Sequence, residues 1–285
     1  MKLNELFAQN RPTLSFEVFP PKTTDKFESV LKATEAIASL SPSYMSVTYG
    51  AGGGTSEYTA EIAERLLARG VTPLAHLSCI SSTKEEIKRL LSDLRSRGIE
   101  NVLALRGDIP RDMERPPMQY KYASELMCEI RDFGGFTIGG ACYPEGHPES
   151  ENGERDIESL RIKAECGCEF LTTQMFFDNN ILYNFMYRLM KRGVNIPIVP
   201  GIMPVTSAVQ IKRIISISGG ALPQRFVRLV DRYGDDPVAM KQAGIAYATS
   251  QIIDLYANGI NAVHVYSMNK PDVAEAIKNN LLGII

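Results

Sequence analysis

The sequence places one acid inside an otherwise apolar predicted strand. Glu17 lies in an apolar run, and the strand period of two puts it on the same face as Ser15 and Phe19. A carboxyl beside Phe19 and Pro20 is partly desolvated, which favours its neutral form. Glu17 is therefore predicted to donate a proton to a bound molecule. The alternative is an ionised Glu17 that pairs with Lys22 or with an arginine.

Other polar residues recur where predicted strands end. They are Thr48, His76, the turn Arg106-Gly107-Asp108, Tyr143 with nearby His147, Gln174 and, in the last strand, His264. Asp108, in a strand-to-helix turn, can supply a fixed negative charge beside a developing cation, or it can accept backbone hydrogen bonds or pair with Arg106. Gln174 can bind the edge of a heteroaromatic ligand or satisfy a hydrogen bond in the core. His76 and His147 can also be structural imidazoles.

Several familiar catalytic motifs are missing from the sequence. It has no H-E-x-x-H, no C-x-x-C and no P-loop, so a dedicated metal site is not expected. It has no G-x-S-x-G, which argues against Ser-His-Asp chemistry. The cysteines are odd in number and are predicted to be reduced thiols of a cytosolic protein; they are Cys79, Cys128, Cys142, Cys166 and Cys168.

The elements that must position these residues follow a regular order. Eight β-branched or apolar runs are predicted strands: 14–19, 44–49, 72–76, 102–105, 137–143, 170–174, 197–199 and 262–266. Their starts lie about 30 residues apart until the last interval, which has room for an extra helix near 223–233. The clearest helix between strands spans 83–97, with a capping box formed by Thr83 and Glu86 and a stop at Gly98.

This alternation of strand and helix is typical of a βαβ series. Similar helix stops are predicted at Gly70, Gly167, Gly193 and Gly259. Because no Pro/Gly/Ser-rich linker divides the chain, we predict an α/β fold in which residues 1–285 form a single (β/α)8 TIM barrel catalytic domain with an extra helix before the last strand. Chemistry in such a barrel lies at the C-terminal ends of the strands, where the reactive side chains fall.

A doubly wound sheet is the competing fold. The loop Gly50–Thr55 follows the second predicted strand and nearly fits the dinucleotide fingerprint G-x-G-x-x-G. However, Thr55 replaces the third glycine, and the next strand ends at His76 rather than at an acid that could bind a ribose. A glycine-rich loop at the mouth of a barrel is the preferred interpretation.

Charge and hydropathy exclude several classes of partner. The sequence carries 31 basic and 33 acidic side chains and has a pI near 6.0, so no overall field would draw the protein to nucleic acid or to an anionic membrane. The N-terminus lacks the apolar segment of a signal peptide, and the prolines within the uncharged stretch 193–211 argue against a membrane helix. A cytoplasmic protein is expected.

Seven segments, taken in order, resemble the methylenetetrahydrofolate reductases. They are Phe16–Lys22, Ser46–Ala51, His76–Cys79, Leu105–Asp108, Tyr143–Pro148, Thr173–Asp178 and Pro200–Pro204. The resemblance spans nearly the whole chain. It implies a FAD-containing barrel that reduces 5,10-methylenetetrahydrofolate to 5-methyltetrahydrofolate with NADH or NADPH, by ping-pong hydride transfer through the flavin. It also implies a place in one-carbon metabolism and methionine biosynthesis.

The resemblance also implies roles for individual residues. Glu17 matches the acid that protonates the bridging amine, so that the five-membered ring opens to an iminium. Asp108 matches an acid whose charge stabilises that cation and tunes the flavin. Folate contacts are expected from Gln174, Gln210, Met268 and Lys270. The positions that match FAD contacts are Thr48, His76, Arg106, Gly107, Asp108, Tyr122, Ala123, Tyr143, His147, Asp156 and Lys163, and a cation such as Lys163 suits a pyrophosphate.

Three departures from the family pattern carry expectations of their own. Ile214 stands where many members have a phenylalanine, and an aliphatic side chain cannot stack on a nicotinamide nucleotide as an aromatic ring does. Lys270 lies near a position at which members of the family often have an arginine. Either side chain could meet the folate glutamate tail, but only arginine would bind it bidentately. The sequence ends at Ile285, so the regulatory domain of eukaryotic relatives and control by adenosylmethionine are not expected.

Two other functions stay open at this point. One is a flavin-free pterin-binding barrel methyltransferase, and the other is a non-catalytic folate-binding subunit. The combination of His76, Arg106 and Lys163 favours a flavin protein over both. A homo-oligomer is expected, and a partner subunit is compatible with the sequence.

Overall fold

The structure is a computed structural model that describes residues 1–21, 23–49, 56–108, 119–211, 214 and 222–285. Its strands are β1 Thr13–Val18, β2 Tyr44–Val47, β3 Pro73–Ser78, β4 Asn101–Leu105, β5 Thr137–Cys142, β6 Phe170–Thr173, β7 Ile198–Val199, β8 Gly201–Ile202 and β9 Ala262–Val265. Its helices include α1 Leu3–Ala8, α2 Phe27–Ala38, α3 Ser56–Ala68, α4 Lys84–Ser96, α5 Ala123–Phe133, α6 Gly153–Glu165, α7 Asn179–Lys191, α8 Gln224–Tyr233, α9 Pro237–Ala257 and α10 Pro271–Leu281. None of the helices described is long and apolar enough to cross a lipid bilayer. Lys22 and the glycine-rich loop 50–55 lie outside the described residues.

The strands pair in parallel and close into a barrel. The strand order β7-β6-β5-β4-β3-β2-β1-β9-β8 begins and ends on one chain segment, because Pro200 alone separates β7 from β8. This confirms the predicted (β/α)8 fold and excludes the doubly wound sheet. The predicted seventh strand, 197–199, is present as β7, and a short strand that was not predicted, β8, follows it. Pro200 between them has no N–H to donate, and the extended segment is interrupted there, so that β7 pairs with β6 and β8 pairs with β9.

Local sequence features begin and end the helices as predicted. The Thr83 hydroxyl accepts a hydrogen bond from the Glu86 N–H at 3.2 Å, and the Thr83 N–H donates to the Glu86 carboxylate at 2.7 Å. The glycines predicted to stop helices, Gly70, Gly98, Gly167, Gly193 and Gly259, have φ angles from 74° to 97°, where other residues would be strained. The extra helix before the last strand is present as α8.

Apolar packing closes one end of the barrel. Between the strands and the outer helices lies the larger core, in which Phe16, Val18 and Ile37 are fully buried. A smaller cluster fills the N-terminal end, where Leu3 and Leu6 of α1 pack against the strand residues Tyr44, Leu74, Leu103, Phe170 and Val199. The interior is therefore open toward the C-terminal ends of the strands, where the chemistry is expected.

The prediction of five reduced thiols is wrong for one pair of cysteines. Cys128 of α5 and Cys166 at the end of α6 form a disulfide, with Cα atoms 4.6 Å apart. Because α5 and α6 pack against each other, they bring together two residues that are 38 positions apart in the chain. Cys79, Cys142 and Cys168 are free and buried.

Candidate functional site

A cavity of about 510 Å³ opens at the C-terminal ends of the strands. Nine of the predicted site residues line it: Glu17, Thr48, His76, Gly107, Asp108, Tyr143, Gln174, Gln210 and Met268. Parallel strands all end at this rim, so residues from distant parts of the sequence converge there. Leu103, Met203 and Ile214 add apolar wall.

The remaining predicted residues lie outside the cavity wall. They are Arg106, Tyr122, Ala123, His147, Asp156, Lys163 and Lys270. Tyr122 is 54% exposed next to the first residue of α5, whereas Ala123 and Asp156 are buried. The structure thus separates the predicted set into residues that face the cavity and residues that flank it.

Glu17 is a buried acid in the cavity wall. Ser46 Oγ donates to its Oε2 at 3.3 Å, and the Nε2 atoms of His76 and His264 lie 3.5 and 3.8 Å from the same oxygen. Glu17 is 5% exposed. Within the described ranges no lysine or arginine forms an ion pair with this carboxyl, so the alternative pairing with an arginine is not observed, and Lys22 lies outside those ranges.

Two members of this cluster, Ser15 and Ser46, were not among the predicted site residues, and His264 was predicted to lie at a strand end but without a role. Ser15 Oγ lies 2.8 Å from His264 Nδ1, and Ser46 Oγ lies 3.1 Å from His264 Nε2. The strand register pairs Glu17 with Ser46 and Ser15 with His264. One signal was available in the sequence, because a serine on the inner face of a buried strand needs a polar partner.

His76 is a buried imidazole whose Nε2 makes no hydrogen bond to the described residues. Burial lowers the pKa of His76 from 6.5 to about 4, although the nearby Glu17 charge acts in the opposite direction. His76 is therefore neutral near pH 7. A neutral imidazole beside Glu17 can accept a hydrogen bond from a carboxylic acid.

Acid is expected to destabilise the protein through His76. In the unfolded chain this group takes up a proton near pH 6.5, but in the folded protein it does so only near pH 4. The stability is therefore complete above about pH 6.5 and is lost as the pH falls toward 4. Between about pH 7 and pH 5 we expect wild type to lose about 2 kcal/mol more unfolding free energy than His76→Gln. Urea unfolding at both pH values measures this, and equal losses in the two proteins would show that His76 is not the responsible group.

The segment after β4 brings a backbone turn and a guanidinium to the rim. Gly107 has φ 80°, and a Cβ there would lie 2.8 Å from the Ser78 Cβ, so a side chain does not fit. Arg106 forms a bidentate ion pair with Glu149, in which Nη1 donates to Oε2 and Nη2 donates to Oε1, the latter at 2.8 Å. The alternative pairing of Asp108 with Arg106 is therefore not observed. Asp108 is exposed at the cavity edge.

A second cluster of polar side chains surrounds Tyr143 at the side of the cavity. The Tyr143 and His147 rings meet edge to face with centroids 4.5 Å apart. Asp156 is buried, and desolvation raises the pKa of its carboxyl, although the nearby His147 acts in the opposite direction. Lys163 Nζ donates to a β5 carbonyl oxygen at 2.7 Å, and burial lowers the pKa of this ammonium. With Arg106, these donors make a set that suits a phosphate-bearing ligand.

Both cavity-lining glutamines have a defined orientation. Gln174 Oε1 accepts from the Met175 N–H at 2.9 Å, and Gln210 Oε1 accepts from the N–H groups of Thr206 and Ser207 at 2.9 and 3.2 Å. A backbone N–H can only donate, so the atom that it meets must be the amide oxygen. Neither NH₂ group donates to another of the described residues, so each can donate to a ligand that carries hydrogen-bond acceptors.

The segment after β9 forms a tight turn at the rim. Met268 and Asn269 have φ angles of 55° and 54°. The Asn269 side chain exchanges two hydrogen bonds with the Phe19 backbone, at 2.8 and 2.9 Å, which ties this turn to the end of β1. Lys270 Nζ donates to Thr206 Oγ1 at 2.8 Å. The turn thus places Met268 in the cavity wall and Lys270 against the segment that carries Gln210.

Two larger depressions lie outside the barrel, and their walls are more highly charged than the wall of the barrel cavity. They measure about 800 and 700 Å³ and lie between α3 and α4 and between α4 and α5. Their walls are largely charged side chains, including the ion pairs of Arg97 with Glu64 and Asp93. In the part of the chain that the structure describes, no group of three His, Cys, Asp or Glu side chains could hold a metal ion. The barrel cavity, with its buried acid and apolar walls, is the candidate site.

The family model and the relatives that match this sequence are named for the same enzyme activity. The family model for methylenetetrahydrofolate reductase matches residues 2–282. The chain is 33% identical over 282 residues to 5,10-methylenetetrahydrofolate reductase of Pectobacterium carotovorum subsp. carotovorum, covering 98% of this chain and 94% of the relative. It is 33% identical over 301 residues to methylenetetrahydrofolate reductase (NADH) 1 of Arabidopsis thaliana, covering all of this chain and 50% of the plant protein.

Solved structures show the same fold. An uncharacterized protein from Clostridium thermocellum that binds two copies of 5-methyl-5,6,7,8-tetrahydrofolic acid superimposes with a TM-score of 0.72 over 100% of both chains at 14% identity. Dihydropteroate synthase from Xanthomonas albilineans, in complex with 7,8-dihydropteroate, has a TM-score of 0.54 at 11% identity over 96% of this chain and 94% of that chain. At such identities the likeness shows the fold alone.

Proposed function

The chain belongs to the methylenetetrahydrofolate reductase family, and we propose that it reduces 5,10-methylenetetrahydrofolate to 5-methyltetrahydrofolate with NADH or NADPH through a bound FAD. The family supports the folate reaction, and the name of one plant relative specifies NADH. The observation that carries the proposal is a buried acid, Glu17, in the wall of the barrel cavity. The whole chain acts as one catalytic domain in this proposal.

Glu17 acts as the general acid. Its carboxyl faces the cavity and is held by the Ser46 hydroxyl, with neutral His76 close by. As a carboxylic acid it gives its proton to the bridging nitrogen of the folate. The carbon–nitrogen bond of the five-membered ring then breaks to leave an iminium, and the proton lost from Glu17 remains on the folate amine.

Other cavity residues stabilise and orient the folate. The iminium is positively charged, and the Asp108 carboxylate at the cavity edge stabilises it electrostatically. The NH₂ groups of Gln174 and Gln210 donate to acceptor atoms of the folate, because their oxygens are occupied by backbone N–H groups. Met268 supplies apolar contact, and Lys270 offers a cation to the glutamate tail.

The residues present fit a flavin nucleotide. The buried His76 Nε2 has no hydrogen-bond partner among the described residues, and Arg106, His147 and Lys163 provide donors for phosphate groups. The remaining residues proposed to hold FAD are Thr48, Gly107, Asp108, Tyr122, Ala123, Tyr143 and Asp156. When bound, FAD supplies a carrier that takes a hydride from the nicotinamide and delivers it to the folate. Arg106 exchanges its Glu149 partner for the ligand in this proposal.

A single cavity serves both substrates. Its volume of about 510 Å³ and its apolar wall, which includes Leu103, Met203 and Ile214, suit one flat substrate at a time beside a flavin. The nicotinamide and the folate therefore bind in turn, which gives ping-pong kinetics. The apolar wall keeps water out of the part of the cavity in which the hydride is transferred.

Colour provides the test of this function. The purified protein, supplied with FAD, is expected to be yellow, to bleach with NADH or NADPH in the absence of air, and to regain colour when methylenetetrahydrofolate is added. Lys163→Met should weaken FAD binding about tenfold or more, whereas Lys191→Met, which removes a surface cation above the Tyr187 ring, should not. A protein that binds folate but never takes up flavin would instead support a pterin-binding methyltransferase or a non-catalytic subunit.

The wider setting follows from the same proposal. The product, 5-methyltetrahydrofolate, supplies a methyl group in one-carbon metabolism and methionine biosynthesis. We therefore propose a cytoplasmic homo-oligomer, alone or with a partner subunit, that does not bind nucleic acid or membranes.

A further inference from the structure

Thr206 connects two residues that are proposed to bind folate. Its Oγ1 accepts a hydrogen bond from Lys270 Nζ at 2.8 Å and donates one to Gln210 Oε1 at 3.3 Å. Its backbone N–H donates to the same Gln210 oxygen at 2.9 Å. One hydroxyl can accept and donate at the same time, so both contacts can form together. Thr206 is 7% exposed and is therefore shielded from competing water.

The segment that carries Thr206 is tightly seated on α9. The preceding residue, Val205, is 1% exposed. A Cβ on Gly244 of α9 would lie 1.8 Å from the Val205 carbonyl oxygen, so the two backbones are in direct contact. Because this contact leaves no space, Thr206 has a fixed place relative to the barrel.

Lys270 has donors left for an anion. An ammonium has three N–H bonds, and Thr206 accepts one of them. Over the described ranges no carboxylate pairs with Lys270, whereas nearby Lys241 pairs with Asp272. The cation therefore lies next to cavity-lining Gln210 without a charged partner among the described residues.

We propose that Thr206 is a positioning residue that holds the Lys270 ammonium and the Gln210 amide side by side for the folate. The ammonium meets a carboxylate of the glutamate tail, and the Gln210 NH₂ donates to an acceptor of the same molecule. This inference rests on the proposed function. Without the hydroxyl, the long Lys270 side chain regains rotational freedom, and the cost falls on folate binding rather than on hydride transfer.

Three variants separate this role from a structural one. Thr206→Val keeps the size of the side chain but removes both hydroxyl contacts, and it is expected to raise KM for methylenetetrahydrofolate about tenfold with kcat within about twofold. Thr206→Ser retains the hydroxyl and should stay within about threefold of wild type. Thr249→Val is the matched control, because Thr249 is equally buried and its hydroxyl donates to the Ile245 carbonyl at 2.9 Å, away from the cavity. It should leave KM unchanged.

A double-mutant cycle tests whether Thr206 acts through Lys270. In a Lys270→Met background the Lys270 contact is already lost, and Gln210 Oε1 keeps the backbone N–H groups of Thr206 and Ser207. Thr206→Val should therefore raise KM by no more than about twofold in this background. An unchanged KM in the Thr206→Val single variant would overturn the inference, as would an equal increase in both backgrounds. The rate of flavin reduction by NADH, measured in every variant, should stay constant and shows that the fold is intact. A wild-type protein that does not turn over methylenetetrahydrofolate would contradict the proposed function itself, and this inference with it.

Discussion

Replacement of Glu17 by glutamine is expected to slow reduction of the folate by about 10²- to 10⁴-fold, which is the usual contribution of a general acid. The amide has nearly the same size and can still accept the Ser46 hydrogen bond, but it cannot release a proton at neutral pH. Reduction of the flavin by NADH or NADPH needs no such proton and should be nearly unchanged. Stopped-flow measurements of the two half-reactions, made separately without air, provide the comparison.

The control for this variant is an acid at the other end of the barrel. Glu169 lies just before β6, where its carboxylate accepts the Ile138 N–H at 3.2 Å. Glu169→Gln should retain both half-reactions, because the amide oxygen can still accept this hydrogen bond far from the cavity. If Glu17→Gln reduced the folate at the wild-type rate, Glu17 would not be the acid. Slowing of both half-reactions would instead indicate a disturbed flavin site.

Gly244→Ala is expected to lower the free energy of unfolding by about 3 kcal/mol or more, a loss at the upper end for overpacking. Helix propensity alone predicts the opposite, a gain of about 1 kcal/mol, because alanine is the better helix former. The new Cβ would lie 1.8 Å from the Val205 carbonyl oxygen and 2.7 Å from its carbon. Both are backbone atoms that no side-chain rotation can move, so α9 and the segment after β8 must separate. Urea unfolding at constant pH measures the loss.

Ala246→Gly gives the scale for the effect of helix propensity. Ala246 is an exposed residue of the same helix, so its replacement should cost about 1 kcal/mol through propensity alone. If Gly244→Ala were as stable as wild type, the close approach of α9 to Val205 would be disproved. Because Val205 precedes Thr206, any folded Gly244→Ala protein should also bind folate more weakly while its flavin is still reduced by NADH.

Sequence by itself determined the repeating elements and the inner face of the first strand. Apolar residues at periods of 2 and 3.6, the Thr83 cap and the glycine stops are local features that act within a few residues. The interval of about 30 residues between strands then selected the barrel among parallel folds. The same period placed Glu17 on the inside of β1, and the rim positions of His76 and Gln174 followed from the ends of the strands, whereas Gln210 came only from the family resemblance.

Only the tertiary structure decided which groups these residues meet. The partners of Glu17, namely Ser46 and His264, come from β2 and β9, and their contacts depend on strand register. The separate pairing of β7 and β8, the pairing of Cys128 with Cys166 and the donor orientation of Gln210 likewise depend on contacts between elements. Such contacts join residues that are far apart in the chain, and their free energies depend on how whole helices and strands pack. A pattern read over a few neighbouring residues contains no information about that packing.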